Sequence, residues 1–315
     1  MKLAVTGSTG LVGNMLATRL ANENLLLLGR TQPKRMSDGQ FFKVDINSSS
    51  NYLDVLEGVE VVIHLAARVH TMGYTGDDSL DLYREVNTHG TENLARQAAK
   101  SGVKRFIFIS SVKVNGESTR AGAPFSASDL QEPEDEYGLS KAEAENKLFQ
   151  IGKQTGMEIV VIRPPLVYGP GVKANFASLM RLAEKGIPLP FGCISQNQRS
   201  LVSVENLVDL IVTCIKHPKA ANEIFLVSDD NDVSTSQMAR QMAISFEQTT
   251  RQLPVPVWCY QLAGKLLGKS DVVDRLVGSL QVDITYTKET LEWRPPQSLE
   301  DGFREAAQAL INSKK

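Results

Sequence analysis

The chain has 315 residues, of which 42% are hydrophobic and 22% are charged, and its formal net charge is −2. This length allows one large globular domain or two unequal ones. So small a net charge excludes a bulk attraction to nucleic acid or to an anionic membrane, and small molecules are the expected partners. The 3 cysteines, at 193, 214 and 259, form no CxxC pair, so neither a disulfide framework nor a metal site is predicted.

Nothing in the sequence predicts a targeting or membrane-spanning segment. Met1 and Lys2 lead directly into LAVTG, which leaves no room for a signal peptide, and no apolar run reaches ~18 residues. We therefore expect a soluble, cytoplasmic protein without a membrane partner. The most apolar late segment, 253–267, contains prolines and a lysine, and it predicts a buried helix rather than a membrane contact.

Short apolar runs alternate with amphipathic stretches through the first half of the chain, which indicates stacked βαβ units. The predicted strands are 3–5, 25–28, 41–44, 61–65, 106–110 and 159–163. The predicted helices are 11–20, 51–57, 79–100 and 137–155. Several strands are continuous apolar runs, as expected where helices cover both faces of a parallel sheet. The predicted fold class is therefore α/β, with a doubly wound parallel sheet.

The sequence becomes richer in proline and glycine after position 163. PPLVYGPG (164–171) and GIPLPFG (186–192) predict loops over a site. A helix-then-strand pattern returns at 205–216 and 223–227, so we expect the chain to rejoin the sheet. The predicted first domain is 1–165 plus 205–228, and a smaller C-terminal α/β domain comprises 166–204 and 229–315. Ser298 with Asp301 predicts a capped last helix that extends to position 311.

A glycine triplet follows the first predicted strand in TGSTGLVG. Gly7 suits the tight turn, Gly10 allows close approach of a pyrophosphate, and Gly13 allows the helix to pack against the strand. Leu11 and Val12 open the helix whose N-terminus would face the phosphates. An ordinary glycine-rich turn is the alternative, but the position of the triplet favours a dinucleotide site and a Rossmann-type domain.

The end of the second strand normally distinguishes NAD from NADP. The chain reads LLLLGRTQPKR, with Arg30 where NAD-binding domains have an acidic residue, and Lys34 and Arg35 follow. NADP is therefore slightly favoured over NAD, although these side chains could simply be solvated. Asp45 and Ile46 could flank the adenine, or Asp45 could cap a following helix.

The fourth predicted strand ends in HLAA. Leu65, Ala66 and Ala67 would leave room for a cofactor, although tight packing is an equally good explanation. His64 and His70 lack helical metal-ligand spacing and a nearby third ligand, so we expect no metal site. His64 is expected to be a hydrogen-bonded residue at the end of a strand.

The segment YGLSK places Tyr137 and Lys141 on one face of a predicted helix. A tyrosine with its ordinary pKa near 10 is a poor base, but a neighbouring lysine and a cationic nicotinamide would both stabilise the phenolate. Tyr137 could then donate and accept a proton. Gly138 costs ~1 kcal/mol in a helix relative to alanine, which suggests a close contact there.

The fifth predicted strand finishes in ISSVKVNGE. Ligands of open α/β sheets bind beyond the carboxyl ends of the strands, where Ser110 and Ser111 would stand. A serine hydroxyl there can bind the same substrate oxygen that Tyr137 protonates, or it can cap the following turn. The order of fingerprint, serine and Tyr/Lys pair favours catalysis.

With these motifs in order, the sequence resembles the extended short-chain dehydrogenase/reductases that act as sugar-nucleotide epimerases, dehydratases and ketoreductases. The resemblance covers nearly the whole chain, including EVNTHGTENL, RPPLVYGPG and LEWRP. It implies a catalytic triad of Ser111, counted back from Gly116, with Tyr137 and Lys141. Ser110 would lie near the cofactor.

The same resemblance implies further site residues. Asn87 would support the lysine, and Arg163, Pro164 and Leu166 would touch the nicotinamide side. A nucleotide sugar would be held by Asn175, Phe176, Arg199 and Arg275, together with Ser111 and Tyr137. The group also implies a homodimer through helices 79–100 and 137–155 and a role in surface-polysaccharide synthesis.

Two departures from the family pattern narrow the reaction. Dehydratases carry an Asp-Glu pair after the catalytic hydroxyl, whereas this chain has Val112 and Lys113, so dehydration is not expected. Arg30 favours NADPH and net reduction. The expected activity is oxidoreduction at C4 of a UDP-hexose or UDP-N-acetylhexosamine, as a 4-ketoreductase of a 4-keto-6-deoxy sugar or a 4-epimerase. A reductase of steroid-like or flavonoid-like carbonyl compounds and a non-catalytic NADP-binding sensor are the alternatives.

Overall fold

The computed structural model describes residues 1–33, 40–69, 79–120 and 122–314. Its main sheet has seven strands, all parallel, in the order β3-β2-β1-β4-β5-β6-β9. These strands are β1 (Lys2–Thr6), β2 (Asn24–Gly29), β3 (Gln40–Lys43), β4 (Val61–His64), β5 (Arg105–Ile109), β6 (Glu158–Arg163) and β9 (Glu223–Leu226). The reversal of strand order beside β1 creates the crevice in which doubly wound sheets bind ligands.

Consecutive residues of the central strands serve opposite faces of the sheet. Val61 and Ile63 pack into one hydrophobic cluster, whereas Val62 packs into another. The first cluster includes helices α1 (Leu11–Arg19) and α6 (Val204–Lys216). The second lies under α3 (Thr91–Lys100) and α4 (Glu136–Thr155). Burial on both faces explains the continuous apolar runs and confirms the predicted Rossmann-type, doubly wound sheet.

The chain rejoins the main sheet as predicted, because β9 pairs in parallel with β6. Between them, β7 (Leu166–Tyr168) and β8 (Leu201–Ser203) form a separate parallel pair. The remaining helices are α5 (Ala174–Glu184), α7 (Thr235–Ser245), α8 (Val257–Leu266), α9 (Ser270–Val277), α10 (Thr285–Leu291) and α11 (Leu299–Asn312). A third hydrophobic cluster joins β7 and β8 to α5, α7 and α11.

The Ser298 side chain caps α11 as predicted, accepting a hydrogen bond from the Asp301 amide at 3.2 Å. Three other predictions were wrong. Residues 51–57 form turns rather than a helix, and 79–100 is not one uniform helix. It comprises α2 (Ser79–Tyr83), a π-helical segment (Arg84–Gly90) and α3.

The third error concerns the apolar segment 253–267, which was expected to be a buried helix. The helix α8 begins only at Val257, and Trp258, Leu262 and Leu266 are 63%, 52% and 77% exposed. Mean apolar content could not reveal which side of α8 packs on the protein. In the described ranges no helix has the length and apolar character needed to cross a membrane.

Candidate active site

The turn between β1 and α1 has the geometry of a phosphate cradle. Gly7 has φ +73°, and a Cβ there would lie 2.7 Å from the Ala66 amide nitrogen. A Cβ on Gly13 would lie 2.2 Å from the Gly7 carbonyl oxygen. Gly10 precedes α1 in an extended conformation, and no side chain caps this helix. The first amides of α1, including those of Leu11 and Val12, are therefore available to an anion, which fits a dinucleotide pyrophosphate.

A buried hydrogen-bond network supports this turn from below. The Thr6 hydroxyl accepts hydrogen bonds from the amides of Leu65 and Ala66 at 3.2 and 3.1 Å. It also lies 2.7 Å from His64 Nδ1, while His64 Nε2 lies 2.9 Å from the Thr91 hydroxyl. Burial lowers the pKa of His64 to about 3. The histidine is therefore neutral and fully partnered, as predicted, and it ties β4 to β1 and α3.

The end predicted to bind adenosine carries one exposed ion pair. Arg30 Nε lies 3.7 Å from Asp45 Oδ1, and both side chains are largely exposed. Asp45 does not cap a helix; its carbonyl accepts hydrogen bonds from Ser50 and Tyr52. Ile46 is buried beside Gly90.

The remaining basic candidates, Lys34 and Arg35, lie outside the described residues, as does His70. Within the described ranges no three His, Cys, Asp or Glu side chains come together to hold a metal ion. Arg30 is thus the described residue best placed to meet a 2′-phosphate.

The predicted catalytic residues meet at the carboxyl edge of the sheet. Ser111 follows β5, and Tyr137 and Lys141 lie in the first turns of α4. Lys141 is buried, donates a 2.9 Å hydrogen bond to the Ile109 carbonyl, and lies 4.3 Å above the Phe108 ring. Its Nζ lies 6.0 Å from the centre of the Tyr137 ring. The strand end thus fixes the lysine beneath the tyrosine.

Burial shifts the pKa values of both groups in the direction that favours their neutral forms. Burial lowers the pKa of Lys141 to about 7, although Glu145 opposes that shift. Burial raises the pKa of Tyr137, and the negative charge of Asp135 raises it further. The lysine alone therefore does not produce the predicted acidic tyrosine. An added positive charge, such as an oxidised nicotinamide, is needed to stabilise the phenolate.

Ser111 has a structural role as well as its predicted catalytic one. It caps the short 3₁₀ turn Val112–Val114, and its Oγ accepts a hydrogen bond from the Lys113 amide at 3.2 Å. A serine hydroxyl that accepts one hydrogen bond still has its proton to donate. Ser111 can therefore hold the turn and bind a substrate oxygen at the same time.

Gly138 makes the close contact that its position in a helix suggested. A Cβ there would lie 2.7 Å from the Lys113 carbonyl oxygen. The turn that carries Ser111 therefore packs directly on the helix that carries Tyr137. Any larger residue at 138 would push the two catalytic elements apart.

Lys113 joins the Ser111 turn to the start of α4 through two ion pairs. It stands at one of the two positions where dehydratases have acidic residues. Its Nζ lies 2.5 Å from both Asp135 Oδ2 and Glu117 Oε1. Asp135 also caps α4, accepting a 2.6 Å hydrogen bond from the Gly138 amide. Burial lowers the pKa of Lys113, but its hydrogen bonds to Asp135 and Glu117 raise it more. The other position, Val112, is buried in the core.

Asn87, which the family resemblance placed in support of Lys141, hydrogen-bonds to Ser140, the residue before this lysine, and to the backbone of Arg68. Its side chain accepts a 2.8 Å hydrogen bond from the Arg68 amide and donates to the Arg68 carbonyl and the Ser140 hydroxyl, both at 3.0 Å. Asn87 therefore holds the loop after Ala67 against α4. The π-helical segment aims its side chain, and such segments are frequent at functional sites.

Ser110 and Arg163 point into the protein interior rather than toward the cofactor cleft. The Ser110 hydroxyl donates to Glu145 Oε1 at 2.5 Å. Arg163 is 1% exposed and binds Glu145 through two nitrogens, at 3.0 and 2.6 Å, and Asn115 at 3.1 Å. Both side chains are used as hydrogen-bond donors to the buried carboxylate of Glu145, and the predicted proximity of these residues to the cofactor stays a prediction.

Pro164 and Leu166 continue the same edge of the site. The Pro164 carbonyl accepts a 3.0 Å hydrogen bond from the Val112 amide, which joins the chain after β6 to the Ser111 turn. Leu166 begins β7 and is 45% exposed. Leu166 is therefore accessible for the predicted nicotinamide contact.

The predicted substrate residues divide into exposed and buried ones. Asn175 is exposed in the first turn of α5, whereas Phe176 is buried against Tyr168 and Phe303. The Phe176 ring is therefore part of the core, and the predicted role of this position in holding a nucleotide sugar stays a prediction. Arg199 donates a 2.7 Å hydrogen bond to the Arg275 carbonyl, and burial and the Arg275 charge lower its pKa. Two neighbouring cations are a suitable setting for a diphosphate.

Sequence reasoning missed Glu145 and Asn115, which organise the back of the site. A signal was available for Glu145, since it lies four residues after Lys141 and eight after Tyr137, on the same side of α4. Its burial could not be read from the sequence, because glutamate on a helix is normally solvated. Asn115 gave no comparable signal.

Comparison with known proteins identifies the family of this chain. The model of the NAD dependent epimerase/dehydratase family matches residues 3–228. The chain is 59% identical over 314 residues to a UDP-glucose 4-epimerase of Vibrio cholerae, covering 99% of this chain and 96% of that protein. It is 27% identical to an N-acetyl-α-D-glucosaminyl-diphospho-ditrans,octacis-undecaprenol 4-epimerase of Escherichia coli O157:H7, covering 85% and 81%.

A solved structure, the UDP-glucose 4-epimerase of Thermotoga maritima with UDP-glucose, superposes with a TM-score of 0.80 at 21% identity over 100% of both chains. That similarity shows the fold. The family match covers most of the chain, and the order of its motifs is the order found here. The protein belongs to the NAD-dependent epimerase/dehydratase family, within the short-chain dehydrogenase/reductases.

Proposed function

We propose that this chain is a 4-epimerase of a UDP-linked hexose or N-acetylhexosamine that retains NAD between turnovers. The observation that carries the proposal is the Ser111, Tyr137 and Lys141 group beside the glycine cradle. The 59% identity to a UDP-glucose 4-epimerase supports the choice of reaction. Buried Val112 and clamped Lys113 leave no acid–base pair for dehydration at the corresponding positions.

The residues of the chain provide proton transfer and orientation. The Ser111 hydroxyl donates to the oxygen on C4, and the Tyr137 phenolate accepts the proton of that hydroxyl group. Lys141, held by the Ile109 carbonyl, places its Nζ below the tyrosine and stabilises the phenolate when charged. A nicotinamide, when bound, supplies the hydride acceptor and donor. Arg199 and Arg275 would hold the diphosphate, and Asn175 would meet the nucleotide sugar.

A 4-ketoreductase that consumes NADPH is the second candidate, and Arg30 favours it. An arginine at the end of β2 suits a 2′-phosphate, whereas a carboxylate would suit the ribose of NAD. Asp45, the present partner of Arg30, is 62% exposed and could release it. A role in surface-polysaccharide synthesis in the cytoplasm, which the family resemblance implies, is part of the proposal for either activity. A homodimer through α2 to α3 and α4 remains a prediction for both.

One experiment separates the two reactions. The purified protein is incubated separately with UDP-glucose, UDP-GlcNAc, UDP-GalNAc and a 4-keto-6-deoxy UDP-sugar, with NAD⁺ or NADPH, and the products are identified by NMR. The 4-epimerase proposal predicts interconversion of C4 epimers without NADPH consumption. Conversion of only the keto sugar, with stoichiometric loss of NADPH, would show the reductase instead.

Two variants test the assigned residues. Tyr137→Phe removes the proton-transfer group, and we expect a decrease in kcat of about 10²–10⁴-fold without loss of the fold. An unchanged kcat would remove Tyr137 from the mechanism and revive the sensor alternative. Arg199→Ala should raise KM for a UDP-sugar. An unchanged KM would favour a small carbonyl substrate that needs no diphosphate site.

A further inference from the structure

The exposed side of α8 is unusually apolar for a surface helix. Trp258, Leu262, Leu266 and Leu267 are 63%, 52%, 77% and 71% exposed. The first three are spaced by four residues, which places them along one side of the helix. We call these four residues the α8 face. Contiguous exposed apolar side chains of this size mark an interaction surface.

The packing of α8 fixes which side faces outward. Gly264 is buried, and a Cβ there would lie 2.7 Å from Val273 Cγ2 of α9. The helix therefore rests on α9 through the side opposite Leu262 and Leu266. Turning the α8 face inward would break this close contact between the two helices.

The charged side chains on α8 and in the segments directly flanking it are all positive. The sequence 248–270 contains Arg251, Lys265 and Lys269 but no aspartate or glutamate. Helical spacing places Lys265 on the same side as Trp258 and Leu262, and Lys269 follows in the turn after Leu267. Both lysines are exposed. The face therefore combines apolar side chains with cations, whereas the acidic residues nearest in sequence, Glu247, Asp271 and Asp274, lie outside this segment.

This combination of apolar and cationic side chains suits a partner whose surface is anionic and whose interior, directly beneath the charges, is apolar. Tryptophan and leucine enter the boundary between headgroups and acyl chains, and lysines pair with lipid phosphates. A symmetric contact between two copies would instead bring the same lysines together. The net charge of −2 does not oppose membrane contact, because charges more than about 8–10 Å apart are largely screened at physiological ionic strength.

We propose that the α8 face docks on an anionic phospholipid bilayer. The helix lies in the plane of the interface, with Trp258, Leu262 and Leu266 inserted and Lys265 and Lys269 at the headgroups. The protein is then a peripheral membrane protein that contacts lipid through its C-terminal unit. This docking departs from the partner expected from composition, and it does not depend on which sugar the active site converts.

Tryptophan fluorescence gives a direct test, because the chain has 2 tryptophans and the second, Trp293, is only 5% exposed. The full-length protein is titrated with vesicles of phosphatidylcholine alone or mixed with phosphatidylglycerol, and bound protein is also measured by sedimentation. Docking predicts a blue shift from Trp258 and binding to the phosphatidylglycerol vesicles that weakens with salt. The absence of both effects would overturn the proposal.

Paired variants identify the surface. Leu262→Ser/Leu266→Ser should lower the vesicle partition coefficient by roughly tenfold or more, because burying one leucine side chain is worth about a factor of ten. Lys265→Glu/Lys269→Glu should abolish the preference for phosphatidylglycerol. The control pair is Leu130→Ser/Ile244→Ser, whose leucine and isoleucine are 80% and 52% exposed elsewhere. Equal losses in the control pair would contradict the assignment.

Two further measurements keep the outcome decisive. Circular dichroism and turnover of soluble substrate should be unchanged in all three pairs, so that lost binding does not reflect unfolding. Light scattering should give the same mass for wild type and Leu262→Ser/Leu266→Ser. A wild-type oligomer that dissociates in this variant would show that a second copy covers the α8 face, which would refute membrane docking.

Discussion

The buried pair between Arg163 and Glu145 allows a quantitative prediction. The Glu145 carboxylate is fully buried and accepts hydrogen bonds from Ser110, Gln131 and two nitrogens of Arg163. Glu145→Gln preserves the shape but replaces one acceptor oxygen by a donor facing other donors. It also leaves the buried guanidinium without a counter-charge.

Removal of one partner of a buried ion pair costs about 3–5 kcal/mol of the free energy of unfolding. For a unit of 150–250 residues this corresponds to a decrease in Tm of about 6–20 °C. Replacing both partners by apolar residues, as in Glu145→Met/Arg163→Leu, should restore much of the loss, because neither charge then remains buried alone. The expected coupling between the two sites is therefore several kcal/mol.

Urea unfolding followed by circular dichroism, on wild type, both single variants and the double variant, measures this coupling. The same four proteins are assayed for turnover, because the buried pair also holds the turn that carries Ser111. Glu145 binds Ser110, the residue before Ser111, and Arg163 binds Asn115, which ends the turn. The reasoning is refuted if Glu145→Gln unfolds within about 0.5 kcal/mol of wild type, the range of ordinary surface substitutions.

Three further predictions concern the cleft. Gly138→Ala should lower kcat by about 10²-fold, because the added Cβ would displace the Ser111 turn from Tyr137. A kcat equal to that of wild type would show that the close contact between residue 138 and the Lys113 carbonyl does not position the two catalytic residues. Arg30→Asp should raise the affinity for NAD relative to that for NADP, measured by competitive binding, because a carboxylate suits the ribose of NAD and repels a 2′-phosphate. An unchanged affinity ratio would show that Arg30 does not contact the 2′-phosphate. The pKa of Lys141 is about 7 in the folded protein, below its usual value of 10.5. Between these pH values the unfolded chain therefore binds more protons than the folded protein, and the free energy of unfolding rises with pH. Wild type should accordingly gain stability relative to Lys141→Met as the pH rises from 7 toward 10.5. Urea midpoints at pH 7 and 9.5 test this last prediction, and a constant difference would contradict it.

The parallel sheet could be predicted because its causes are local in the sequence. Continuous apolar runs require cover on both faces, and the glycines at 7 and 13 occupy positions where a Cβ does not fit. The return of the chain at β9 was visible for the same reason. These signals depend on the residue type and its spacing, not on distant partners.

Side-chain directions could not be predicted in the same way. Ser110 and Ser111 are adjacent and chemically identical, yet one binds buried Glu145 and the other caps a turn at the cleft. Phe176 is similar, because only the packing of α5 on α11 shows that its ring is buried with Phe303. Each direction depends on a partner that is far away in the sequence.

Hydrophobic content and helix type were also insufficient signals. Segment 253–267 is apolar enough for a core, but nothing in it indicates that only Gly264 of α8 is buried. The π-helical turn around Asn87 lies within a sequence that has ordinary helical periodicity. The hydrogen bonds of Asn87 go to the Arg68 backbone and to Ser140 of α4, partners that are 19 and 53 residues away in the sequence.

The return of the chain at β9 has a consequence for synthesis on the ribosome. The edge strand that covers β6 is encoded after 166–204, so the main sheet cannot be completed until residue 226 has emerged. Until then β6 exposes an unpaired edge, which favours aggregation or chaperone binding. The delay between the translation of β6 and that of β9 thus sets how long the nascent chain leaves this strand edge unpaired.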